Sequence, residues 1–268
     1  MKKNSMLDLN RLGRVFWVSA CAVGWFASVP GATAAGSPGN PIISGASHNV
    51  GAAVPVESPR SKTAMARVTP ELQKALAQKN LRLGAPVFIR IFKETKELEV
   101  WVGAAGRRYV LFRTYPICTY SGTLGPKLHT GDNQAPEGFY RVTAAQLNPY
   151  SNYHLSFDLG YPNAYDRTWQ RTGSALMVHG NCVSIGCYAM GDNGIEEIYT
   201  LIDAALRAGQ PAFDVHVFPF RLTDAALESY KRYRWYAFWQ ELKPGYDNFE
   251  KTHVPPIISV HDKNYVIK

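Results

Sequence analysis

The sequence has four cysteines in 268 residues, too few for a disulfide-built scaffold, yet each needs a reason to be there. Charged side chains make up only 19% against 46% hydrophobic and 12% aromatic. A disordered, collagen-like or coiled-coil chain is thereby excluded, since ample apolar surface is available for burial. No internal repeat and no Cys-x-x-Cys pair occurs. No Lys/Arg stripe interleaved with aromatics is present except Lys231-Arg232-Tyr233-Arg234-Trp235, so a nucleic-acid partner is not expected. The formal net charge is +8, and part of it belongs to the first segment.

Lys2, Lys3, Arg11 and Arg14 face only Asp8, and Val15 to Val29 follows as an apolar stretch too short to span a bilayer comfortably. Pro30-Gly31 breaks it, and Ala32-Thr33-Ala34 supplies a small-x-small cleavage pattern. The reading is a cleaved secretory signal over residues 1–34. The alternatives are an uncleaved anchor and a lipoprotein signal at Val18-Ser19-Ala20-Cys21. Removing the four basic residues and one acidic residue of that segment leaves 25 basic against 20 acidic, a charge of +5. An exported basic protein faces anionic envelope material, or simply presents a solvated surface.

Residues 35–67, rich in Gly, Ala, Ser, Pro and Asn, read as a flexible linker. A folded unit is expected over 68–268, mainly β with flanking helices. Thr69-Pro70 marks the start of a short helix ending near Asn80. Val87–Phe92 and Leu98–Val102 alternate about a charged turn as a hairpin. Tyr109–Phe112, Gly138–Val142, Tyr153–Leu159, Ala175–Val178 and Phe213–Phe218 are further short strands, as in a sandwich or barrel. Asn193 with Glu196 three residues on has the form of a capping box for a helix that Gly209 and Pro211 end. Thr223 caps a last helix, expected to run to about Lys243 with an aromatic face.

The chemistry concentrates in His179-Gly180-Asn181-Cys182-Val183-Ser184-Ile185-Gly186-Cys187. A thiol attacks as thiolate, and a nearby imidazole takes its proton. Cys187 after a glycine turn and His179 at a strand end suit those two roles, with the Gly186 and Cys187 amides aimed at an acyl oxygen. The bland alternative is a buried Cys and a satisfied core His. A zinc site from His179, Cys182 and Cys187 lacks a fourth ligand.

Ser184-Ile185-Gly186-Cys187 resembles the Ser-His-Gly-Cys signature of the L,D-transpeptidase catalytic domain (YkuD type), with a strand-end His-Gly upstream. Gly131-Asp132-Asn133-Gln134-Ala135-Pro136-Glu137-Gly138 is similar to that family's Gly-Asp-x-x-Thr-Pro-x-Gly motif. The short His-to-Cys spacing, Ile185 in place of the second His, Tyr115–Cys118, Leu124–Lys127 and Tyr161–Arg167 resemble the YafK-like branch of periplasmic murein enzymes. The resemblance covers about Val87 to Phe218. It implies a β-sandwich domain with Cys187 as nucleophile and His179 as general base. Ser184 and Gly186 would complete the catalytic set, and no metal or cofactor would be needed. It also implies peptidoglycan stem peptides as substrate at meso-diaminopimelate, a periplasmic location and a role in cell-wall remodelling and cell shape. Murein-bound lipoprotein is the alternative partner, and a non-catalytic murein-binding module the alternative function. Transpeptidation, carboxypeptidation and amide hydrolysis share one thioester. Tyr188 and Ala189 follow the cysteine where family members carry an apolar residue and then Arg or Asn. That departure shifts the expectation of carboxylate binding to Arg167 or Lys127, with Asn163 and Tyr165 completing the substrate-binding set. Arg167 paired with an acid such as Asp166 is the alternative. With Cys187 free and Cys21 in the signal, Cys118–Cys182 is the one disulfide the resemblance leaves; two buried thiols are the other possibility.

Overall fold

The computed structural model describes residues 54–268. The expected signal segment and the linker up to residue 53 lie outside the described residues. From residue 59 the linker expectation is overturned: Pro59–Ala77 is a helix, α1. Ser58 caps it by accepting from the Ser61 amide, with Pro59 at the first helical position. The same Ser-Pro start signal expected at Thr69-Pro70 therefore operates eleven residues earlier, and Pro70 lies inside the helix. Packing outweighs the cost of that proline, because Ala64, Leu72 and Leu76 are buried in the main core.

The other elements follow in order. They are β1 (Val87–Phe92), β2 (Glu97–Gly103), β3 (Tyr109–Pro116), β4 (Thr119–Tyr120), β5 (Gly138–Val142), β6 (Leu147–Asn148) and β7 (Ser156–Asp158). Next come α2 (Ala164–Thr168), β8 (Met177–His179), β9 (Tyr188–Ala189), α3 (Gly191–Arg207) and β10 (Phe213–Phe218). The chain ends with α4 (Asp224–Ser229), α5 (Tyr236–Thr252), β11 (Ile258–His261) and β12 (Asn264–Ile267).

Two five-stranded sheets carry the fold, β3-β2-β1-β10-β5 and β4-β9-β8-β7-β6. In the first, β1 pairs antiparallel with β2 and parallel with β10, Ile89 facing Val215. Alternation sends Ile89, Ile91, Val215 and Val217 into a core shared with Phe157, Val178 and Tyr188 of the second sheet and with α1 and α3. This is the expected β-sandwich with flanking helices. The opposite face of the first sheet carries Phe92, Phe139 and Phe218 and is covered by α4, α5 and the β11–β12 hairpin.

Three local expectations change. Asn193 does not cap α3, which begins at Gly191; Glu196 is instead buried and bound to Arg67 and His154. Thr223 does cap, through the Ala226 amide, but only the short α4. A break over residues 230–235 separates it from α5, which runs through Pro244 to Thr252. The β11–β12 hairpin was not visible in the pattern because His261-Asp262-Lys263-Asn264 hides a turn within polar residues that also suit a tail.

Candidate active site

The β8–β9 pair builds the site. These strands are parallel, with Val178 opposite Tyr188 and His179 opposite Ala189. Period-two alternation then puts His179 and Cys187 on one face of the sheet, two positions apart along neighbouring strands. The loop between them turns back at Gly186, whose φ of 136° favours glycine and where a Cβ would lie 3.1 Å from Leu176 Cδ1.

Ser184 holds this turn closed. Its hydroxyl donates to the Cys187 carbonyl at 2.8 Å and accepts from the amides of Gly186 (3.2 Å) and Cys187 (3.1 Å). This corrects the sequence expectation, because those amides face the serine oxygen rather than an empty oxyanion position. The amide that does reach the sulfur is that of Met177, donating to Cys187 Sγ at 3.4 Å, while the thiol donates to the Ala175 carbonyl at 3.6 Å. Burial pushes the Cys187 thiol above its ordinary value; the Met177 amide and the Lys127 charge oppose this, and Asp158 adds to it.

His179 is buried, and its Nδ1 lies 2.5 Å from the Gly180 carbonyl. A carbonyl can only accept, so Nδ1 carries the proton and Nε2 presents its lone pair. Burial lowers the imidazole pKa, with the Gly180 bond pulling the other way. At neutral pH the pair therefore rests as thiol and neutral imidazole rather than as an ion pair. The Tyr153 ring, half exposed in the β6–β7 loop, stacks on the imidazole with centroids 4.7 Å apart. The stacking partner of Tyr153 is thus the histidine.

The matched motif Gly131–Gly138 lies beside this strand pair. The Tyr188 hydroxyl donates to the Pro136 carbonyl at 2.7 Å, which explains a buried tyrosine after the cysteine. Asp132 accepts from Lys127 Nζ (2.5 Å) and from the amides of Leu128, His129 and Gln134. Burial opposes ionisation, but these donors overcome it and take the Asp132 carboxyl down to about 2.

The expected substrate-binding set divides. Lys127 is buried and tied to Asp132 and the His129 carbonyl, so it acts on the site through its charge and not as a free carboxylate clamp. Asn163 caps α2 and donates to the Phe139 carbonyl and the Tyr265 hydroxyl. Tyr165 is buried, stacked on Tyr265 at 4.1 Å. Neither is brought to the thiol; both are structural, a correction to their expected role. Arg167 is exposed, donates to the Pro162 carbonyl, and borders a groove of about 780 Å³ that also meets Tyr150, Ser174, Ala175 and Met177. Asp166 takes Arg171 as its partner at 2.9 Å, so the alternative Arg167–Asp166 pair does not form. Cys118 and Cys182 are joined by a disulfide with Cα atoms 5.5 Å apart, and Cys187 is free.

Residues 86–217 match the YkuD L,D-transpeptidase catalytic domain. The chain is 49% identical over 185 residues to the Escherichia coli K12 protein named "Putative L,D-transpeptidase YafK", covering 69% of this chain and 75% of that one. The chain belongs to the L,D-transpeptidase family. Among solved structures, the helical cell shape determining protein Pgp2 of Campylobacter jejuni aligns at TM-score 0.39 and 21% identity over 55% of this chain and 54% of its own. Bd1075 of Bdellovibrio bacteriovorus aligns at TM-score 0.36 and 18% identity over 68% and 84%. L,D-transpeptidases act on peptidoglycan stem peptides, so this L,D-transpeptidase is a murein-modifying enzyme. Its family domain begins at β1, leaving α1 outside the matched segment. Among the described residues no cluster of His, Cys, Asp and Glu is arranged to hold a metal ion.

Proposed function

We propose that this protein is an exported, cysteine-dependent acyl-transferring enzyme of the periplasm. In this reading it cuts the amide bond at the meso-diaminopimelate carbonyl of a stem peptide through a Cys187 thioester. The observation that carries the reading is a free thiol and an imidazole whose Nδ1–H is anchored on Gly180, brought to one face of the sheet two positions apart along neighbouring strands. His179 Nε2 takes the thiol proton as sulfur attacks the carbonyl carbon. Collapse of the tetrahedral adduct breaks the C–N bond, and the imidazolium returns that proton to the leaving amine. An incoming amine or water then loses a proton to Nε2 and attacks the thioester. The Cys187 sulfur leaves and is reprotonated, closing the cycle. Ser184 and Gly186 keep the turn that presents the sulfur. Arg167, at the rim of the groove that reaches Met177, receives a stem-peptide carboxylate.

Export is supported by the N-terminal signal pattern and by the Cys118–Cys182 disulfide, which an oxidising compartment preserves. N-terminal sequencing of the secreted protein should begin near Ala35 or Gly36. The deciding experiment incubates wild type and Cys187→Ala with purified sacculi, with and without covalently bound lipoprotein, and reads muropeptides by mass spectrometry. New cross-links would identify transpeptidation; shortened stems or freed lipoprotein would identify hydrolysis. Identical products from both proteins would defeat the catalytic reading and leave a murein-binding module.

A further inference from the structure

The segment that precedes the family domain makes four hydrogen bonds to one loop, residues 149–155 between β6 and β7. Ser58 Oγ donates to the Pro149 carbonyl at 2.8 Å, and the Tyr150 hydroxyl donates to the Glu57 carbonyl at 3.2 Å. Arg60 Nη1 donates to the carbonyls of Ser151 (2.7 Å) and His154 (2.8 Å). Two turns along α1, Arg67 binds the Glu196 carboxylate, which is almost fully buried and also meets His154 Nε2 at 2.6 Å. The loop is thus fastened at positions 149, 150, 151 and 154.

Tyr153 lies between the last two of these anchors, with its amide bonded to Ser151 Oγ at 3.1 Å and its ring on the His179 imidazole. The fit beneath is tight. A Cβ on Gly180 would come within 2.8 Å of the Tyr153 carbonyl oxygen and 2.9 Å of His154 Cβ. The Gly180 carbonyl holds Nδ1 at one edge of the ring, and the tyrosine face opposes rotation of the ring plane. A general base works only when its lone pair is aimed, and a displacement of about 1 Å costs on the order of a hundredfold.

We propose that α1 is a positioning element for His179. Through Arg60, and through the Arg67–Glu196–His154 chain, it holds the β6–β7 loop so that Tyr153 presses on the imidazole and keeps Nε2 aimed at the Cys187 side of the sheet. Tyr153, Arg60 and Glu196 are positioning residues, and the inference rests on the assignment of His179 as general base. The titratable and charged groups packed about this corner are Tyr153 and His154 from the loop, Asp192 and Glu196 from α3, Arg60 and Arg67 from α1, and Cys187 just before β9.

The test uses the full chain as wild type, Tyr153→Ala, Tyr153→Phe, Arg60→Ala and Cys187→Ala. Tyr153 and Arg60 are surface residues, so thermal melts should show all variants folded. Nitrogen-15 spectra of labelled histidines report the His179 tautomer without any substrate. Turnover of a tetrapeptide muropeptide against pH gives kcat and KM separately. Tyr153→Ala and Arg60→Ala should mix the His179 tautomers and lower kcat about tenfold or more. KM should stay within about twofold of wild type, and the acid limb should move up toward the ordinary imidazole value. Tyr153→Phe keeps the ring and should behave as wild type. An unchanged tautomer with unchanged kcat, a loss confined to KM, or failure of Tyr153→Phe to rescue would each overturn the inference. Full turnover by Cys187→Ala would instead defeat the catalytic reading, while the tautomer spectra would still decide whether Tyr153 holds the ring.

Discussion

At the scale of single residues, burial sets the protonation state of His179 and Cys187, the proposed catalytic pair. Both shifts favour neutral forms: the thiol above its ordinary value and the imidazole below its own. His179 accepts a proton only when neutral, so activity is lost as pH falls through its depressed pKa. The expected kcat/KM profile has its acid midpoint below 6.5, the unperturbed imidazole value, and stays level into the alkaline range because the thiol ionises late. A stopped assay across pH 4–10 checks this; an acid midpoint at or above the unperturbed value would contradict it. Arg167 makes one backbone bond and otherwise faces the groove. Arg167→Ala should raise KM for a carboxylate-bearing stem peptide about tenfold, the scale of one charge-assisted pair, and leave the melting temperature unchanged.

At the scale of elements, the parallel β8–β9 pair and the turn before it matter most. Gly186 lies at positive φ against Leu176, so Gly186→Ala strains the turn that Ser184 ties together. A cost of about 1–3 kcal/mol is expected, with loss of Cys187 alkylation selectivity measurable by peptide mapping. The helices show how local signals mislead. Ser58-Pro59 and Thr69-Pro70 carry the same start signal, and only the burial of Ala64, Leu72 and Leu76 decides between them. Glu196 has capping-box spacing from Asn193, yet the folded chain gives its carboxylate to Arg67 and His154.

At the scale of the whole molecule, a long loop and a buried base govern stability. The Cys118–Cys182 bridge spans 64 residues, and loop closure assigns it about 4 kcal/mol at most. The Cys118→Ser/Cys182→Ser double variant should unfold at lower denaturant by a few kcal/mol, and urea melts would show it. His216 sits on the outer face of the first sheet between Phe88 and Phe139, with neither ring nitrogen bonded. Burial, aided by Arg90, lowers its pKa to about 3. The unfolded chain binds that proton near 6.5, so this contribution is whole above about 6.5 and is lost as pH falls toward about 3. The slope is about 1.4 kcal/mol per pH unit. His216→Leu should flatten the decline of melting temperature between pH 6 and 4; an undiminished slope would assign acid sensitivity to other groups.

The sequence alone determined the family and most of the frame. His179, Ser184, Gly186 and Cys187 were legible as candidates because an imidazole, a glycine turn and a thiol occupy one short segment. The strands of the first sheet were legible because alternation is a property of neighbouring residues. The tertiary structure decided what depends on partners distant in the chain: that Asn163 and Tyr165 serve the fold, that Lys127 belongs to Asp132, and that Tyr153 covers the imidazole. It also decided that α1 begins at Pro59 and clamps a loop some ninety residues away. Local propensity cannot report such contacts, because a buried carboxylate or a stacked ring acquires its role only when folding removes water and supplies the partner.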